Sequence, residues 1–284
     1  MARDYRRSDY DDYLKDDNLH INWYPGHMKK TKELVQNNLK LVDVVIELLD
    51  ARIPYSSKNP QIDSIVGNKP RVVVLNKSDL ANPANLSKWV NYYAKKGIKA
   101  IPVSTTKGNG VNKIIDECKN VTKEMMDNLK AKGRTERAIR VMIVGVPNVG
   151  KSTLINKLTG RKSTQTGDKP GVTKSKQWVR LKGNLELLDT PGILWPKFED
   201  QEVALNLAFS RAIKDEILDI DTLGLKFIEK LMEIEPEKLM ARYKLTELGE
   251  TPLETMEMIG RKRGFILGRQ ELDNTRIALT VLNE

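Results

Sequence analysis

Six short stretches read as strands in the first two thirds of the chain, five of them apolar runs: "DVVIELLD" (43–50), "RVVVLN" (71–76), "KAIPVS" (99–104), "IRVMIVG" (139–145) and "LELLDT" (185–190), with the more polar "KSKQWVRL" (174–181) before the last. The first two are almost unbroken in Val, Ile and Leu and are bounded by polar residues, as strands buried on both faces are. Helical periods alternate with the runs. One passes through Leu34, Val35 and Leu39 after a Pro-Gly turn, others cover about Leu86–Lys96 and Val111–Leu129, and a fourth runs from Lys151 to about Leu158. Such alternation predicts a mostly parallel sheet. Gly183-Asn184 joins "KSKQWVRL" to "LELLDT" in a hairpin-like turn. Beyond about residue 198 the strands cease. Helical patterns follow at 202–217, 222–234, 236–243, 252–266 and 271–283, several opened by Pro or Thr-Pro. The expected organisation is an α/β domain over 21–197 and a small all-α domain over 198–284. Residues 1–20, rich in Tyr, Asp and Arg and without periodicity, are expected to be a disordered arm.

Composition narrows this picture without changing it. The 284 residues are 39% hydrophobic and 30% charged, the balance of a soluble globular protein. No apolar run approaches the roughly 18 residues that span a bilayer, and the N-terminus lacks the apolar core of a secretory signal. Cys118 is the single cysteine, so no internal disulfide forms. It shares a helical face with Val111, Ile114, Ile115 and Val121 and is expected in the core. A reducing cytoplasm is the expected location. The net charge of +10 is uneven: residues 198–284 carry 12 Lys and Arg against 18 Asp and Glu, and residues 1–197 carry 36 against 20. The excess in the first part suggests a polyanionic partner; a merely solvated basic surface is the alternative.

Two motifs carry the chemistry. Gly145-Val-Pro-Asn-Val-Gly150-Lys151-Ser152 satisfies G-x-x-x-x-G-K-S between a predicted strand and helix. In such a loop the backbone N–H groups of residues from Asn148 and Val149 through Gly150, Lys151, Ser152 and Thr153 turn toward phosphate oxygens, assisted by the helix N-terminus. Lys151 neutralises the β- and γ-phosphates and the Ser152 hydroxyl ligates Mg²⁺. Asp189-Thr-Pro-Gly192 follows a strand: Asp189 is expected to reach Mg²⁺ and the Gly192 N–H the γ-phosphate. Thr173, in "KPGVTKS", is the candidate switch threonine that completes the metal shell. The second motif is Asn76-Lys77-Ser78-Asp79, at the end of "RVVVL". A carboxylate at Asp79 accepts from guanine N1–H and N2–H₂ together, a donor pair adenine lacks. "VSTTKGNG" fits the last base-contacting loop, with Ser104 as buttress and the N–H of Thr105 or Thr106 on guanine O6.

The base clamp therefore precedes the phosphate cradle. Residues 1–138 hold the clamp without a cradle, and 139–197 hold the cradle without a clamp. Neither half has enough strands for a complete sheet, whereas together they supply six. One permuted nucleotide-binding domain is the simpler reading. A small-molecule kinase would leave the guanine clamp and Thr173 unexplained.

The order of motifs resembles the circularly permuted GTPases. The text "NWYPGHMKK", "LLDARIP", "LNKSDL", "GVPNVGKSTLIN", "PGVTK" and "LDTPGIL" is similar to the ribosome biogenesis GTPase A family from about residue 21 onward. The resemblance implies GTP and GDP as ligands with Mg²⁺. It implies action late in large-subunit assembly, with precursor particles, rRNA and ribosomal proteins as partners, and neither membrane nor DNA. It also implies a helical RNA-binding domain at the C-terminus. Asn148 occupies the position where related GTPases coordinate K⁺. His27, in the turn "WYPGHM", is singled out as a residue that orients the attacking water, against a role in packing the turn on Trp23 or in ribosome contact. The usual glutamine after D-x-x-G is Ile193 here, which cannot orient water. Arg261, Lys262, Arg263 and Arg269 in "GRKRGFILGR" are candidates for RNA phosphates, or else a solvated helix end. Three features depart from the pattern: the arm at 1–20, an end at "LNE" from which a short basic tail is expected to be missing, and Ser210-Arg211 where Thr-Gly is expected. Two readings stay open, a GTP-hydrolysing switch and a nucleotide-gated RNA scaffold with little hydrolysis.

Overall fold

The computed structural model describes residues 36–135, 137–160, 178–188, 200–213, 219–267 and 271–284. The six predicted strands form one sheet: β1 (Val44–Asp50), β2 (Arg71–Asn76), β3 (Lys99–Val103), β4 (Ile139–Val144), β5 (Trp178–Leu181) and β6 (Leu185–Leu188). Their order is β3-β2-β1-β4-β6-β5, parallel except for the β5–β6 hairpin. The central strands β1, β2 and β4 are buried along nearly their whole length, which is why their sequences do not alternate. Strand β3 is an edge. Pro102 stands exposed on it, where a missing N–H costs no ladder bond and discourages pairing with another chain.

Helices α1 (Pro54–Ser57), α2 (Ile62–Val66), α3 (Pro83–Lys95), α4 (Val111–Ala131) and α5 (Lys151–Thr159) complete this unit. Asn82 caps α3 by accepting from the N–H groups of Ala84 and Asn85, with Pro83 in the first turn. Leu49, Val73 and Leu75 pack with Tyr93 of α3, while Val45 and Met142 pack with Ile62 and Val66 of α2. Cys118 of α4 is fully buried, and burial pushes its thiol up to about 12, so it is core as its periodicity predicts. Gly183 and Asn184 both have positive φ at the predicted hairpin turn. Glycine is required at 183 for a second reason: a Cβ there would lie 2.3 Å from Ile115 Cγ2.

Asp43, just before β1, takes a two-pronged ion pair from Arg137 at 2.6 and 2.8 Å, and accepts the Arg140 N–H at 2.8 Å. These bonds fasten the start of the second half to the first strand of the first half.

The chain divides into two compact units, and residues 200–284 lie in the second. Its helices are α6 (Gln201–Phe209), α7 (Ile220–Ile234), α8 (Pro236–Tyr243), α9 (Pro252–Arg263) and α10 (Asn274–Asn283). The core gathers Ile228, Leu239, Tyr243, Met256, Ile259 and Ile277 around α7. The sequence reading of a helix over 202–217 is corrected: α6 stops at Phe209. Ala212 N–H returns to Leu207 O and Arg211 N–H to Ala208 O, both at 2.8 Å, the double bond of a Schellman cap. Arg211 holds its left-handed position with φ 59°. The Ser210-Arg211 departure thus puts arginine where the cap favours glycine. Helices α9 and α10 are likewise shorter than their apolar patterns, because Gly264 caps the first and Asp273 the second.

Candidate nucleotide site

Strands β2, β3 and β4 run parallel, so the loops after Asn76, Val103 and Val144 leave the same edge of the sheet. Strand order reverses beside β1 and β4, the kind of switch point where open α/β sheets bind ligands.

The cradle follows β4 directly. Gly145 lies so close to β1 that a Cβ would come within 2.6 Å of Leu48 O. Asn148 is exposed at the tip of the loop with φ 55°. Gly150 has φ 99°, and a Cβ on it would strike Asn76 Nδ2 at 2.3 Å, so glycine is obligatory there. Helix α5 opens at Lys151 without a side-chain cap, which leaves its first-turn N–H groups to an anion. The Lys151 ammonium is shielded from solvent. Ser152 and Thr153 are half-buried in the same turn. Val149 has its side chain in the core, 1% exposed, so only its backbone can face a ligand.

Asn76 joins the clamp to the cradle. Its Nδ2 donates to Val149 O at 2.7 Å across 73 residues of sequence, and its Oδ1 accepts the Thr105 N–H at 3.2 Å. All three groups are buried. One carboxamide therefore fixes the phosphate loop, the clamp and the base loop in mutual register. Because the Thr105 N–H is engaged, the Thr106 N–H is the better candidate for guanine O6. Thr106 is exposed, while Ser104 and Thr105 are buried beneath it.

Lys77 takes a left-handed conformation (φ 59°) that opens a short 3₁₀ turn over Ser78–Leu80 and brings Asp79 to the surface. The Ser104 hydroxyl, by a hydrogen bond, and the Lys107 ammonium, 3.2 Å from the carboxylate, hold the Asp79 carboxyl below the usual carboxylate range. It is thus ready as the acceptor that guanine requires.

Asp50 and Arg52 are candidate positioning residues that motif reading missed. Burial pushes the Asp50 carboxyl up, but the Arg52 fork at 2.7 and 2.9 Å and Lys77 at 2.9 Å outweigh it and keep the group ionised. Asp50 in turn anchors the Lys77 ammonium beneath the clamp. The available signal was an aspartate closing a fully buried strand with arginine two residues later.

His27, Thr173, Asp189, Gly192 and Arg269 lie outside the described residues. Among the described residues no three His, Cys, Asp or Glu side chains gather as metal ligands. The Ser152 hydroxyl suits Mg²⁺ all the same, since that ion takes few protein oxygens and completes its shell with phosphates and water. The Asn148 carboxamide offers a hard oxygen for K⁺. In the helical unit the basic cluster is divided in its engagements. Arg263 bonds Glu284 at 3.0 and 3.2 Å and stacks over Tyr243, Arg261 stands 3.9 Å from Glu257, and Lys262 is exposed.

The fold and the site define a circularly permuted P-loop GTPase domain followed by helices. A family described as "50S ribosome-binding GTPase" matches residues 140–250. The chain is 48% identical over 265 residues to ribosome biogenesis GTPase A of Priestia megaterium (strain DSM 319 / IMG 1521), covering 93% of this chain and 92% of that one. It is 32% identical over 246 residues to the protein of that name from Thermotoga maritima, covering 87% and 82%. The crystal structure of GNP-bound YlqF from T. maritima superposes with a TM-score of 0.60 at 28% identity, covering 90% of this chain and 92% of that one. The chain belongs to the ribosome biogenesis GTPase A family.

Proposed function

We propose that this protein is a GTP-hydrolysing assembly factor for the large ribosomal subunit, bound to precursor particles and their rRNA in its GTP state and released on hydrolysis. The observation that carries the nucleotide part is the Asn76 bridge, which makes one guanine-nucleotide site from two separated motifs. The names of its relatives support the ribosomal part.

In this reading Asp79 selects guanine, and a base lacking the paired donors leaves its carboxylate unmatched. The α5 N-terminus and Lys151 would hold the phosphates; Ser152, Thr173 and Asp189 would hold Mg²⁺, which would supply neutralising positive charge at the phosphates. Ile193 leaves the attacking water without a partner at the usual position. His27 is proposed to orient it, and Asn148 to hold the K⁺ that takes the place of an arginine finger. Turnover of the isolated protein is expected to be slow, roughly 10⁻⁴ to 10⁻² per second, and to rise with large-subunit particles and K⁺.

Ile193 also favours the second reading, a cytoplasmic RNA-binding scaffold ordered by GTP with little hydrolysis. Turnover measured with and without large-subunit particles, in K⁺ and in Na⁺, separates the two. Stimulation by particles supports the switch. A rate unmoved in every combination supports the scaffold.

A further inference from the structure

From Leu80 to Ile115 the chain has six lysines and not one acidic residue. Within it Lys88 and Lys95 of α3, Lys96 at its C-cap and Lys99 at the start of β3 are all exposed. Lys88, Tyr92 and Lys95 fall at i, i+4 and i+7, on the side of α3 opposite buried Tyr93 and half-buried Leu86 and Val90. From Lys88 to Lys95 this row extends about 10 Å along the helix. Lys99 stands on the edge strand beyond it, so the cations form a stripe rather than a scatter.

Tyr92 sits inside that stripe and is 42% exposed. It does not dangle there. Its ring meets Trp89 and Tyr93 edge-to-face, each with centroids 5.3 Å apart, and the Lys96 ammonium lies 4.5 Å from its centroid. A large aromatic ring is therefore held in place at the surface among lysines. Neither the nucleotide site nor the core uses it.

We propose that the outer face of α3 and the start of β3 bind RNA, the lysines on its phosphates and Tyr92 as a stacking platform for an unpaired base. Charge complementarity requires a polyanion, and a pre-ordered aromatic among cations is what single-stranded nucleic acid uses. A membrane is disfavoured because the exposed residues of α3 besides Tyr92 are Pro, Ala, Asn, Ser and Lys, with no stripe of large apolar side chains to insert. The inference rests on the ribosomal reading above for choosing RNA among polyanions.

The test is a fluorescence-anisotropy titration of the full chain with a labelled single-stranded RNA 20-mer over a range of KCl. A Lys88→Gln/Lys95→Gln/Lys99→Gln variant is expected to bind about tenfold or more weakly. Its plot of log affinity against log salt should be shallower by about 2, since each lost phosphate contact removes roughly 0.7. Tyr92→Ala should weaken single-stranded RNA about tenfold and duplex RNA little. GDP affinity should be unchanged in both variants, which shows that they fold. If the wild type binds RNA and the triple variant binds it equally well, the surface is wrong and the ribosomal reading survives. If the wild type binds neither RNA nor ribosomal particles, the ribosomal reading fails as well. Equal capture of wild type by anionic lipid vesicles, lost in the triple variant, would overturn the choice of RNA.

Discussion

Removing the Asn76 carboxamide would strand the Val149 carbonyl and the Thr105 N–H, both buried, at about 1–3 kcal/mol each. Asn76→Ala is therefore expected to weaken GDP binding by one to two orders of magnitude while the far-ultraviolet circular dichroism stays unchanged. A fluorescent-GDP titration with an unaltered Kd would disprove the bridging role. Arg211 offers a test of a different kind. Its left-handed backbone costs roughly 1 kcal/mol that glycine does not, and its guanidinium returns something through a bond to Asn283. Arg211→Gly should thus be more stable than Arg211→Ala by about 1 kcal/mol in urea unfolding. Both variants lose the same side-chain bond, and equal midpoints would mean that the cap is unstrained. Asp79 and Lys151 were legible as residues because their motifs are local. Asp50 was not, because its role depends on Lys77 and Arg52 meeting it in space.

At the scale of elements, the least expected feature is a glutamate in the middle of β1. Glu47 is 2% exposed. The Arg71 guanidinium lies 3.4 Å away but makes its shorter contact, 2.7 Å, with Asp63 of α2. Burial therefore prevails and pushes the Glu47 carboxyl up to about 7. A raised carboxylate binds its proton more tightly when folded, so its stabilising contribution is full below about 4.5 and is lost as pH rises through about 7. Glu47→Gln should remove that dependence. The difference in unfolding free energy between variant and wild type should then move by on the order of 3 kcal/mol in the variant's favour between pH 4.5 and 8. Parallel pH profiles from chemical denaturation would show that Glu47 stays ionised in the fold. Apolar runs and periods announced every strand and the longer helices, but not the short α1 and α2. They failed at ends: nothing in the apolar pattern stops a helix at Phe209, whereas the Schellman bonds to Leu207 and Ala208 do.

For the whole molecule the consequence of permutation is covalent. The D-T-P-G segment at 189–192 comes last in the α/β part and continues directly into the helical unit. A γ-phosphate contact at Gly192 is then expected to bias the helices that follow. Hydrogen exchange in α6 to α10 should differ between the GDP state and a state with a non-hydrolysable GTP analogue. Identical protection in both would remove this route of signalling and leave the nucleotide site intact.

By itself the sequence determined the strands, the two motifs, their inverted order and the family resemblance. Each of these rests on neighbours in the chain: a run of β-branched residues, a glycine-rich turn, a carboxylate at a set spacing. Tertiary structure alone decided how the two halves become one site. Asp43 pairs with Arg137 where the central strands begin, and Asn76 reaches Val149 and Thr105 where they end. Those contacts span from about 30 to over 90 residues. No local pattern encodes them, because a buried hydrogen bond is specified by which strands lie side by side.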